Sequence, residues 1–379
     1  PPRSTLFPYT TLFRSDGLAM EGLNEIDFSD KEFYSKFKTL PIRQHNSIDA
    51  KGTVKDGGKF DEQVVYKGTR FCFEIEKVST QEKDDDFENV IKTLYASDLR
   101  LGGGTRTGFG EIKIISCHYV SLNLSDSDEL SRYISKNSSL NDEVFWNNEN
   151  LKKEPDNSKS TNWNKYELNL LPDDFFLFGS GFGNDNADMT PVKESVIVWE
   201  KDKPKFEDNY ILIPCTSVKG AVSHRVAYHY NRLSGIYTDK IKKEEYKNHV
   251  GNKNAAVKAL FGTEGDKSEE IKRGNVIFSD VLMPHCTMKE KVLNHVSIDR
   301  FTGGAIDGAL FQEEVVFGKG NTFKLIFQVQ QATYPDKAIE AFECVLKDIC
   351  IGMLPLGGGV NRGHGIFSGT ILKNDKLLN

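Results

Sequence analysis

The stretch that decides the fold reads Leu356-Gly-Gly-Gly-Val-Asn-Arg-Gly-His-Gly365, and a second copy reads Leu101-Gly-Gly-Gly-Thr-Arg-Thr-Gly-Phe-Gly110. Both follow the pattern G-G-G-x-x-x-G-x-G, whose glycines let the backbone take positive φ or approach another backbone or a phosphate closely. Each copy comes after a helix-like pattern and leads into a strand-like one. The phosphate-binding loops of dinucleotide-binding and P-loop proteins follow a strand and open a helix, so neither class is indicated.

The repetition extends far beyond the two glycine loops. Upstream of each loop stand H-x-S-I-D, then D-G, then F-x-E-x-V-V, in the same order. The first copy reads His45-Asn-Ser-Ile-Asp49, Asp56-Gly57 and Phe60-Asp-Glu-Gln-Val-Val65, and the second reads His295-Val-Ser-Ile-Asp299, Asp307-Gly308 and Phe311-Gln-Glu-Glu-Val-Val316. Agreement on this scale indicates an internal repeat of one structural unit.

Each repeat continues with the same predicted elements. An alternating apolar pattern predicts a strand over 69–76 in the first copy and over 322–329 in the second. An amphipathic helix follows in each copy, and Asp336 is a candidate N-cap of the second. The apolar stripes of the two helices are predicted to lie in the core: Phe87, Val90, Ile91 and Leu94 in the first, and Ile339, Phe342, Leu346 and Ile349 in the second. The glycine loop and a further strand, over 111–115 or 366–371, then close the unit.

The second unit also has a front half. Predicted strands cover 165–171, 195–199 and 210–213, and Pro214 ends the last of them. Thr216 or Ser217 is predicted to cap a helix that runs to about Leu233, and another strand covers 275–280. The order β-α-β-β-α-β predicts an α+β chain of two ferredoxin-like units in tandem, the first incomplete. The predicted boundaries are a non-native leader at 1–16, the C-terminal half of a first unit at 17–121, a polar linker at 122–164 and a complete second unit at 165–379.

The totals limit the classes of function. A chain of 379 residues predicts two or three domains, and its net charge of −6 gives no whole-chain signature of nucleic-acid binding, so any such surface must be local. Six cysteines without a C-x-x-C pair make a disulfide framework or a zinc site unexpected. No apolar run approaches the length of a membrane span, so a reduced, cytoplasmic protein without membrane contact is expected.

Five motifs, in order, resemble those of the RAMP superfamily. The segment Ile213-Pro-Cys-Thr-Ser-Val-Lys-Gly220 resembles the family signature I-P-G-S-S-L-K-G. Four further segments resemble the later motifs of the family: Leu260-Phe-Gly262, residues 275–280, the block over 297–311 and the second glycine loop. The resemblance covers nearly all of residues 166–379. Residues 43–115 resemble the C-terminal half of another such unit, whose front half is expected to belong to a missing natural N-terminus.

The resemblance implies a function. RAMP proteins are RRM-like backbone subunits of CRISPR effector complexes, which act in antiviral defence, and the related guide-RNA processing enzymes. The S-I-D and D-G-x-x-F block is most similar to the backbone subunits of type III complexes. It implies a thumb-like β-hairpin near residues 299–311, inserted between bases of a guide–target duplex. The implied partners are guide RNA, target RNA and other effector subunits.

Several residues are candidates for contact with the RNA backbone. The loop glycines offer amides to phosphates, and the arginines within the loops can donate charge-assisted hydrogen bonds. An aromatic platform for a base fits His364, because the first copy has Phe109 at that position. Lys219 lies at the positive start of a helix, and Arg225 lies further along it. The predicted RNA-binding set is Gly102, Gly103, Gly104, Arg106, Lys219, Arg225, Gly357, Gly358, Gly359, Arg362, Gly363 and His364. A second reading stays open, in which the loops only turn the chain and Arg225 lies on a helix surface.

The resemblance also implies a nuclease loop. Type III backbone subunits cleave target RNA with an aspartate that assists attack by the ribose 2′-hydroxyl, together with a divalent metal such as Mg²⁺. The corresponding loop holds Asp185, Asp188 and Glu194, and Glu194 stands where the family's aspartate tends to fall. Asp188 and Glu194 are the catalytic candidates. The alternative is an inactive unit whose acids only solvate the loop.

Asp299 and Asp307 recur as Asp49 and Asp56, which favours a structural role at the base of the hairpin through hydrogen bonds to backbone amides. The sequence as a whole predicts an RNA-binding backbone subunit of a type III CRISPR ribonucleoprotein, with endoribonuclease activity possible. Three alternatives stay open: a non-catalytic scaffold or capping subunit, a guide-RNA processing endoribonuclease, and a general RNA-binding module.

Overall fold

The computed structural model describes residues 31–49, 52–79, 85–137, 145, 162–200, 203–263, 271–285 and 288–378. The expectations for the leader at 1–16 and for the natural N-terminus lie outside these residues. The first part of the chain forms α1 (Lys31–Lys36), β1 (Ile42–Ile48), β2 (Val54–Gln63), α2 (Asp85–Leu94) and α3 (Ser127–Ser135).

The second part of the chain supplies most of the sheet structure. Its strands and helices are β3 (Trp163–Pro172), β4 (Phe175–Phe176), β5 (Lys193–Glu200), β6 (Lys203–Ile213), α4 (Cys215–Leu233), α5 (Ala255–Phe261), β7 (Val276–Phe278), β8 (Val281–Met283), β9 (Lys289–Ile298), β10 (Ala305–Phe317), β11 (Phe323–Gln330), α6 (Ala338–Cys350), β12 (Phe367–Lys373) and β13 (Lys376–Leu377). Among the described residues, no helix is long and apolar enough to cross a bilayer.

The largest sheet has five antiparallel strands in the order β13-β12-β3-β11-β7. Helix α4 lies between β3 and β7 along the chain, α6 lies between β11 and β12, and the two helices pack against each other. Strands β3, β7, β11 and β12 with these helices therefore follow the order β-α-β-β-α-β. Two three-stranded antiparallel sheets, β4-β10-β9 and β5-β6-β8, complete this part of the chain.

The core lies between the five-stranded sheet and the helices α4 and α6. In β3 every second side chain is buried, and β11 alternates in the same way from Phe323 to Val329. Helix α6 buries Phe342, Leu346 and Ile349 at helical spacing. Each such side chain contributes roughly 1.5–3 kcal/mol when fully buried. The strand predicted over 322–329 and the core position of this helix's apolar stripe are thus confirmed, whereas in α2 Ile91 is buried but Val90 is 42% exposed.

The predicted helix caps are wrong. Helix α4 begins at Cys215 after Pro214, so Thr216 and Ser217 lie inside its first turn. The amide of Cys215 is satisfied from outside the helix, because it donates to Asp280 Oδ1 at 2.8 Å. Helix α6 begins at Ala338 after Lys337, which has a φ of 67°, and Asp336 does not cap it.

Two predicted strands and part of the linker also differ from the structure. Residues 69–76 and 111–115 are not strands, because no neighbouring strand among the described residues forms a ladder with either segment. Alternation predicts which side chains share a face, but a strand also needs a partner. Residues 122–164 include α3, whose N-cap Asp126 accepts hydrogen bonds from the amides of Asp128 and Glu129.

Candidate nucleic-acid interface

Two β-hairpins carry the repeated sequence motifs. Strands β9 and β10 pair from Lys289 opposite Phe317 to Ala305 opposite Ile298, with an irregularity near the tip. Strands β1 and β2 form the same hairpin in the first repeat. In both, the repeated histidine lies opposite the repeated phenylalanine and stacks on it, with ring centroids 5.1 Å apart in the first hairpin and 4.8 Å apart in the second.

The aspartate of each S-I-D motif shapes the hairpin tip. Asp299 Oδ1 accepts hydrogen bonds from the amides of Phe301 at 3.0 Å and Thr302 at 2.8 Å, and these bonds lower the pKa of the carboxyl. Asp49 accepts in the same way from the amide of Thr53 at 2.9 Å. The predicted structural role fits both residues, but their hydrogen bonds lie at the tip of each hairpin and not at its base. Asp56 and Asp307 are exposed on strands and, within the described residues, bind no backbone amide.

The β9–β10 hairpin presents an apolar face to solvent. Val296, Ile298 and Leu310 are 50%, 60% and 67% exposed, and the register places Val296 opposite Leu310. Phe301 in the turn is 98% exposed. Single exposed apolar side chains are common, but a contiguous exposed apolar patch marks an interaction site. The hairpin expected near residues 299–311 is therefore present, and its apolar face is open.

A buried carboxylate joins this hairpin to the second glycine loop. The side chain of Glu313, on β10, has no exposed surface and accepts hydrogen bonds from His295 Nε2 at 2.8 Å and His364 Nε2 at 3.1 Å. The guanidinium of Arg362 binds its second oxygen. Burial raises the pKa of Glu313, but the bonds from Arg362 and His364 outweigh burial, so the net direction is downward. We call these four residues the Glu313 cluster.

The Glu313 cluster includes two residues that were predicted to contact RNA, His364 and Arg362. His364 is buried, and its ring packs edge-on against Phe175 with the centroids 6.1 Å apart. A base cannot stack on a ring enclosed in this way, so the platform interpretation of His364 does not fit. Arg362 keeps about a third of its side chain exposed beside the ring of Phe311. It can therefore still reach a phosphate at the surface.

The two glycine loops form the same turn. Leu356 and Leu101 donate to the carbonyls of Gly365 and Gly110 at 2.9 Å in each case. A side chain on Gly359 would lie 2.3 Å from the ring of His364, and one on Gly104 would lie 2.4 Å from the ring of Phe109. Glycine is needed because the loop folds back on its own aromatic residue.

Most amides of the second loop are used inside the protein. Gly358 donates to Leu177 at 2.6 Å, and Gly363 donates to Val360 at 3.3 Å. Gly357 lies so close to the carbonyl of Leu177 that a side chain there would overlap it. Gly102 and Gly103 of the first loop are exposed with open space around them. A phosphate cradle of amides is therefore better supported at Gly102 and Gly103 than at Gly357 to Gly359.

A second buried ion cluster joins the two parts of the chain. Arg43, on β1, binds Glu194 on β5 through two nitrogens, with 2.8 Å from Nη2 to Oε2, and binds Asp280 with 2.6 Å from Nη1 to Oδ2. The three side chains are 9%, 7% and 12% exposed. Burial alone would lower the pKa of Arg43, but the two carboxylates raise it overall. We call this the Arg43 joint.

The first glycine loop completes the Arg43 joint. The guanidinium of Arg43 lies 5.1 Å from the ring centroid of Phe109. Gly108 lies beside the side chains of Cys215 and Asp280, where an added Cβ would be 2.5 Å from the sulfur. The first repeat is therefore packed against the start of α4, which is the segment with the I-P-G-S-S-L-K-G resemblance.

The two catalytic candidates lie in different environments. Glu194 is held by the Arg43 joint, so its carboxylate is already neutralised and enclosed, as expected for a structural residue. Asp188 is exposed, and its Oδ2 accepts the amide of Gln312 on β10 at 2.8 Å. Asp185 is also exposed on this loop. Asp188 is therefore the acid of the pair that a bound RNA strand could reach.

The two candidates on α4 also differ. Arg225 donates to Asp348 Oδ2 at 2.6 Å, and His229 Nε2 lies 2.7 Å from the same oxygen, so these residues brace α4 against α6. The helix-surface reading fits Arg225. Lys219 is half-buried near the start of α4, and its RNA contact stays a prediction.

The residues that sequence reasoning missed are Arg43, Asp280, His295 and Glu313. A signal for two of them was present, because the pair His295–Glu313 recurs as His45–Glu62, whose side chains lie 2.9 Å apart. Arg43 had no such signal, since the second repeat has Leu293 at that position. Its partners come from distant parts of the chain.

Comparison with known proteins gives a family. A model of the RAMP superfamily matches residues 8–113 and 176–368. No curated protein matches the sequence. A solved chain from a Type IV-B CRISPR complex is similar in structure, at 13% identity and a TM-score of 0.34, covering 55% of this chain and 90% of that chain.

Proposed function

The chain belongs to the RAMP superfamily, and from this membership we propose that it is an RNA-binding backbone subunit of a type III CRISPR ribonucleoprotein in the cytoplasm. Its partners would be guide RNA, target RNA and other effector subunits. We propose further that it consists of two ferredoxin-like RAMP units in tandem, the first incomplete. The repeated hairpin, the repeated glycine turn and the β-α-β-β-α-β order of the second part support this arrangement.

The observation that carries the proposal is the open apolar face of the β9–β10 hairpin. Strand β10 has 13 residues, and the pair ends in a turn whose phenylalanine is almost fully exposed. A protein that separates stacked bases needs an apolar wedge on a stiff support, because stacking a base on an apolar side chain recovers part of the unstacking energy. The Asp299 turn holds this support at its tip, and the Glu313 cluster holds it near the middle of the ladder.

Replacing Phe301 and Leu310 together by alanine should weaken binding of target RNA to the guide-loaded protein by about tenfold or more, because each base stacked on a side chain contributes about 1–3 kcal/mol. Retention of the guide alone should be unchanged. Filter binding or fluorescence anisotropy at one fixed salt concentration measures both quantities.

Ile351→Ala is the matched control, because Ile351 is 69% exposed at the end of α6, away from the hairpin. This change should leave both affinities as they are. Equal target affinity in the hairpin variant and the wild type would contradict insertion of the hairpin into a duplex.

Cleavage of target RNA by Asp188 is the second candidate function. The supporting observation is that Asp188 is an exposed carboxylate bonded to Gln312, in the middle of the hairpin that is proposed to lie in the duplex. In that position it could accept the proton of a ribose 2′-hydroxyl as the hydroxyl attacks the adjacent phosphate. The described residues contain no cluster of three or more His, Cys, Asp or Glu side chains fit to hold a metal. The divalent metal expected from the resemblance would therefore have to be held by fewer than three of these side chains, together with phosphate oxygens of the RNA.

Asp188→Asn should slow target cleavage in the assembled complex by about 100-fold or more at the position served by this subunit, since a general base contributes about 10²–10⁴ in rate. Guide and target affinity should be preserved, because asparagine can still accept the amide of Gln312. Asp185→Asn, on the same loop, is the control. Unchanged cutting in the Asp188 variant would favour the non-catalytic scaffold or capping role. Trimming of precursor guide RNA at one fixed site by the chain alone would instead favour a processing endoribonuclease.

A further inference from the structure

A basic pocket lies where the first repeat meets the edge of the five-stranded sheet. It has a volume of about 480 Å³ and is lined by Asp98, Arg100, Arg106, Trp163, Arg273 and Gly274, among others. Arg100 and Arg106 come from the first repeat, whereas Trp163 and Arg273 come from the second part of the chain. The pocket is therefore formed only when the two parts are packed together.

The arginines of this pocket are poorly neutralised. Arg106 Nε donates to the carbonyl of Gly274 at 2.8 Å, and Arg273 donates to the hydroxyl of Thr105 at 2.9 Å. The side chain of Arg100 is only 4% exposed, and its ion-pair partner Glu111 is 3.8 Å away. Arg100 also donates to the carbonyls of Ser97 and Leu99. Three guanidinium groups thus stand against two carboxylates, Asp98 and Glu111, which leaves an excess of about one positive charge among the described residues at the pocket.

The environment of the pocket shifts the pKa of Arg106. Burial, followed by the nearby charges of Arg273 and Arg100, lowers its pKa to about 10, and Asp98 opposes this only in part. Burial and neighbouring positive charges both disfavour the charged form of arginine, and the two neighbouring arginines supply the second effect here. An anion entering the pocket would relieve this repulsion and would add charge-assisted hydrogen bonds.

Size and shape restrict the anion. The volume lies within the range of pockets that take small ligands, and guanidinium groups match the paired oxygens of a phosphate. The indole of Trp163 forms one wall, with the guanidinium of Arg106 5.2 Å from the ring centroid. A phosphomonoester carries nearly two negative charges at neutral pH, so it gains more from the excess positive charge than a singly charged phosphodiester does.

We propose that the pocket between Arg100, Arg106, Arg273 and Trp163 binds a phosphomonoester, as carried by a nucleoside monophosphate or by the phosphorylated end of an RNA strand. The site is separate from the hairpin face and from Asp188. The strand-end alternative rests on the RNA binding proposed above, whereas the nucleotide alternative does not. Arg273 is exposed at the mouth, and Arg100 lies at depth. A ligand would thus enter past Arg273 and place its phosphate toward Arg106 and Arg100.

Isothermal titration of the nucleic-acid-free full chain tests the site. The probes are uridine 5′-monophosphate against uridine, and one short RNA with a 5′-phosphate against the same RNA with a 5′-hydroxyl. Each phosphorylated probe that binds should do so at least tenfold more tightly than its unphosphorylated partner. Binding of the monophosphate would identify a nucleotide site, and binding of the phosphorylated RNA alone would identify a strand-end site.

Arg273→Ala and Arg106→Gln should each raise the Kd of the bound probe at least tenfold. Arg273 is exposed, so its variant should keep the wild-type melting temperature even if Arg106→Gln does not. Arg232→Ala, an exposed arginine in the last turn of α4, removes the same charge elsewhere and should leave the Kd unchanged. The proposal is overturned if no phosphorylated probe binds, if Arg273→Ala binds like the wild type, or if Arg232→Ala weakens binding equally.

Discussion

Replacing Glu313 with alanine is expected to lower the free energy of unfolding by about 3–5 kcal/mol, because removal of one partner leaves buried charged and polar groups unpaired. The side chain is fully buried and holds Arg362, His295 and His364 at once. Its loss would separate the β9–β10 hairpin from the glycine loop. Urea denaturation followed by circular dichroism measures the change.

Glu314→Ala is the matched control for this prediction. Glu314 is the next residue on β10 and lies on the opposite side of the strand. Among the described residues, its carboxylate accepts a hydrogen bond from the exposed side chain of Asn184. Its loss should cost less than about 1 kcal/mol. A similar small effect in both variants would show that the Glu313 cluster does not hold the fold.

The same cluster predicts a dependence of stability on pH. The pKa of Glu313 in the folded protein lies below its ordinary value of 4.5. A carboxyl with a lowered folded pKa stabilises the fold above its unfolded pKa, and that contribution is lost as the pH falls through the folded value. The stability difference between wild type and Glu313→Ala should therefore shrink below about pH 4.5. A constant difference down to pH 3 would contradict this.

Replacing Arg43 with alanine should be about as damaging, with a loss of about 3–5 kcal/mol, because it leaves Glu194 and Asp280 buried near each other without a cation. The damage should be concentrated where the two parts of the chain meet. Limited proteolysis of the folded variant, alongside urea denaturation, would detect separation of the first repeat at denaturant concentrations that leave the second part intact.

Two further variants sharpen the Arg43 test. Adding Glu194→Gln to Arg43→Ala should recover part of the loss, since one of the unpaired charges is then removed. Lys36→Ala breaks an ion pair with Asp208 across the same boundary, but that pair is exposed and should contribute no more than about 1 kcal/mol. If Arg43→Ala lowers the free energy of unfolding no more than Lys36→Ala does, burial of the Arg43 joint does not contribute to stability.

Much of the fold could be predicted from periodicity and repetition. The alternation in β11 and the helical stripes of α2 and α6 were visible in the sequence, because apolar spacing follows directly from which face is buried. The twin glycine loops proved to be one turn used twice. The strand predictions for 69–76 and 111–115 were wrong, because an alternating pattern specifies which face is buried but does not supply a neighbouring strand.

The site was harder to predict than the fold. Arg362, His364 and Glu194 have side chains that suit RNA or catalysis, and the structure instead pairs them with Glu313 and Arg43. Pairing of this kind depends on residues more than 40 positions apart, which local sequence cannot report. Recurrence was the one long-range signal available, and it did mark the histidine and glutamate of both hairpins.

The Arg43 joint has a consequence for how the two hairpins are spaced. Because both repeats belong to one chain, they meet at an effective concentration that does not depend on the concentration of the protein in solution. A buried, bidentate ion pair contributes more to orientation than to net attraction. The covalent connection thus keeps the two repeats near each other, and the Arg43 joint sets their relative orientation. Two separate chains with these surfaces would have to assemble from dilute solution, whereas this chain keeps its two hairpins together at any dilution.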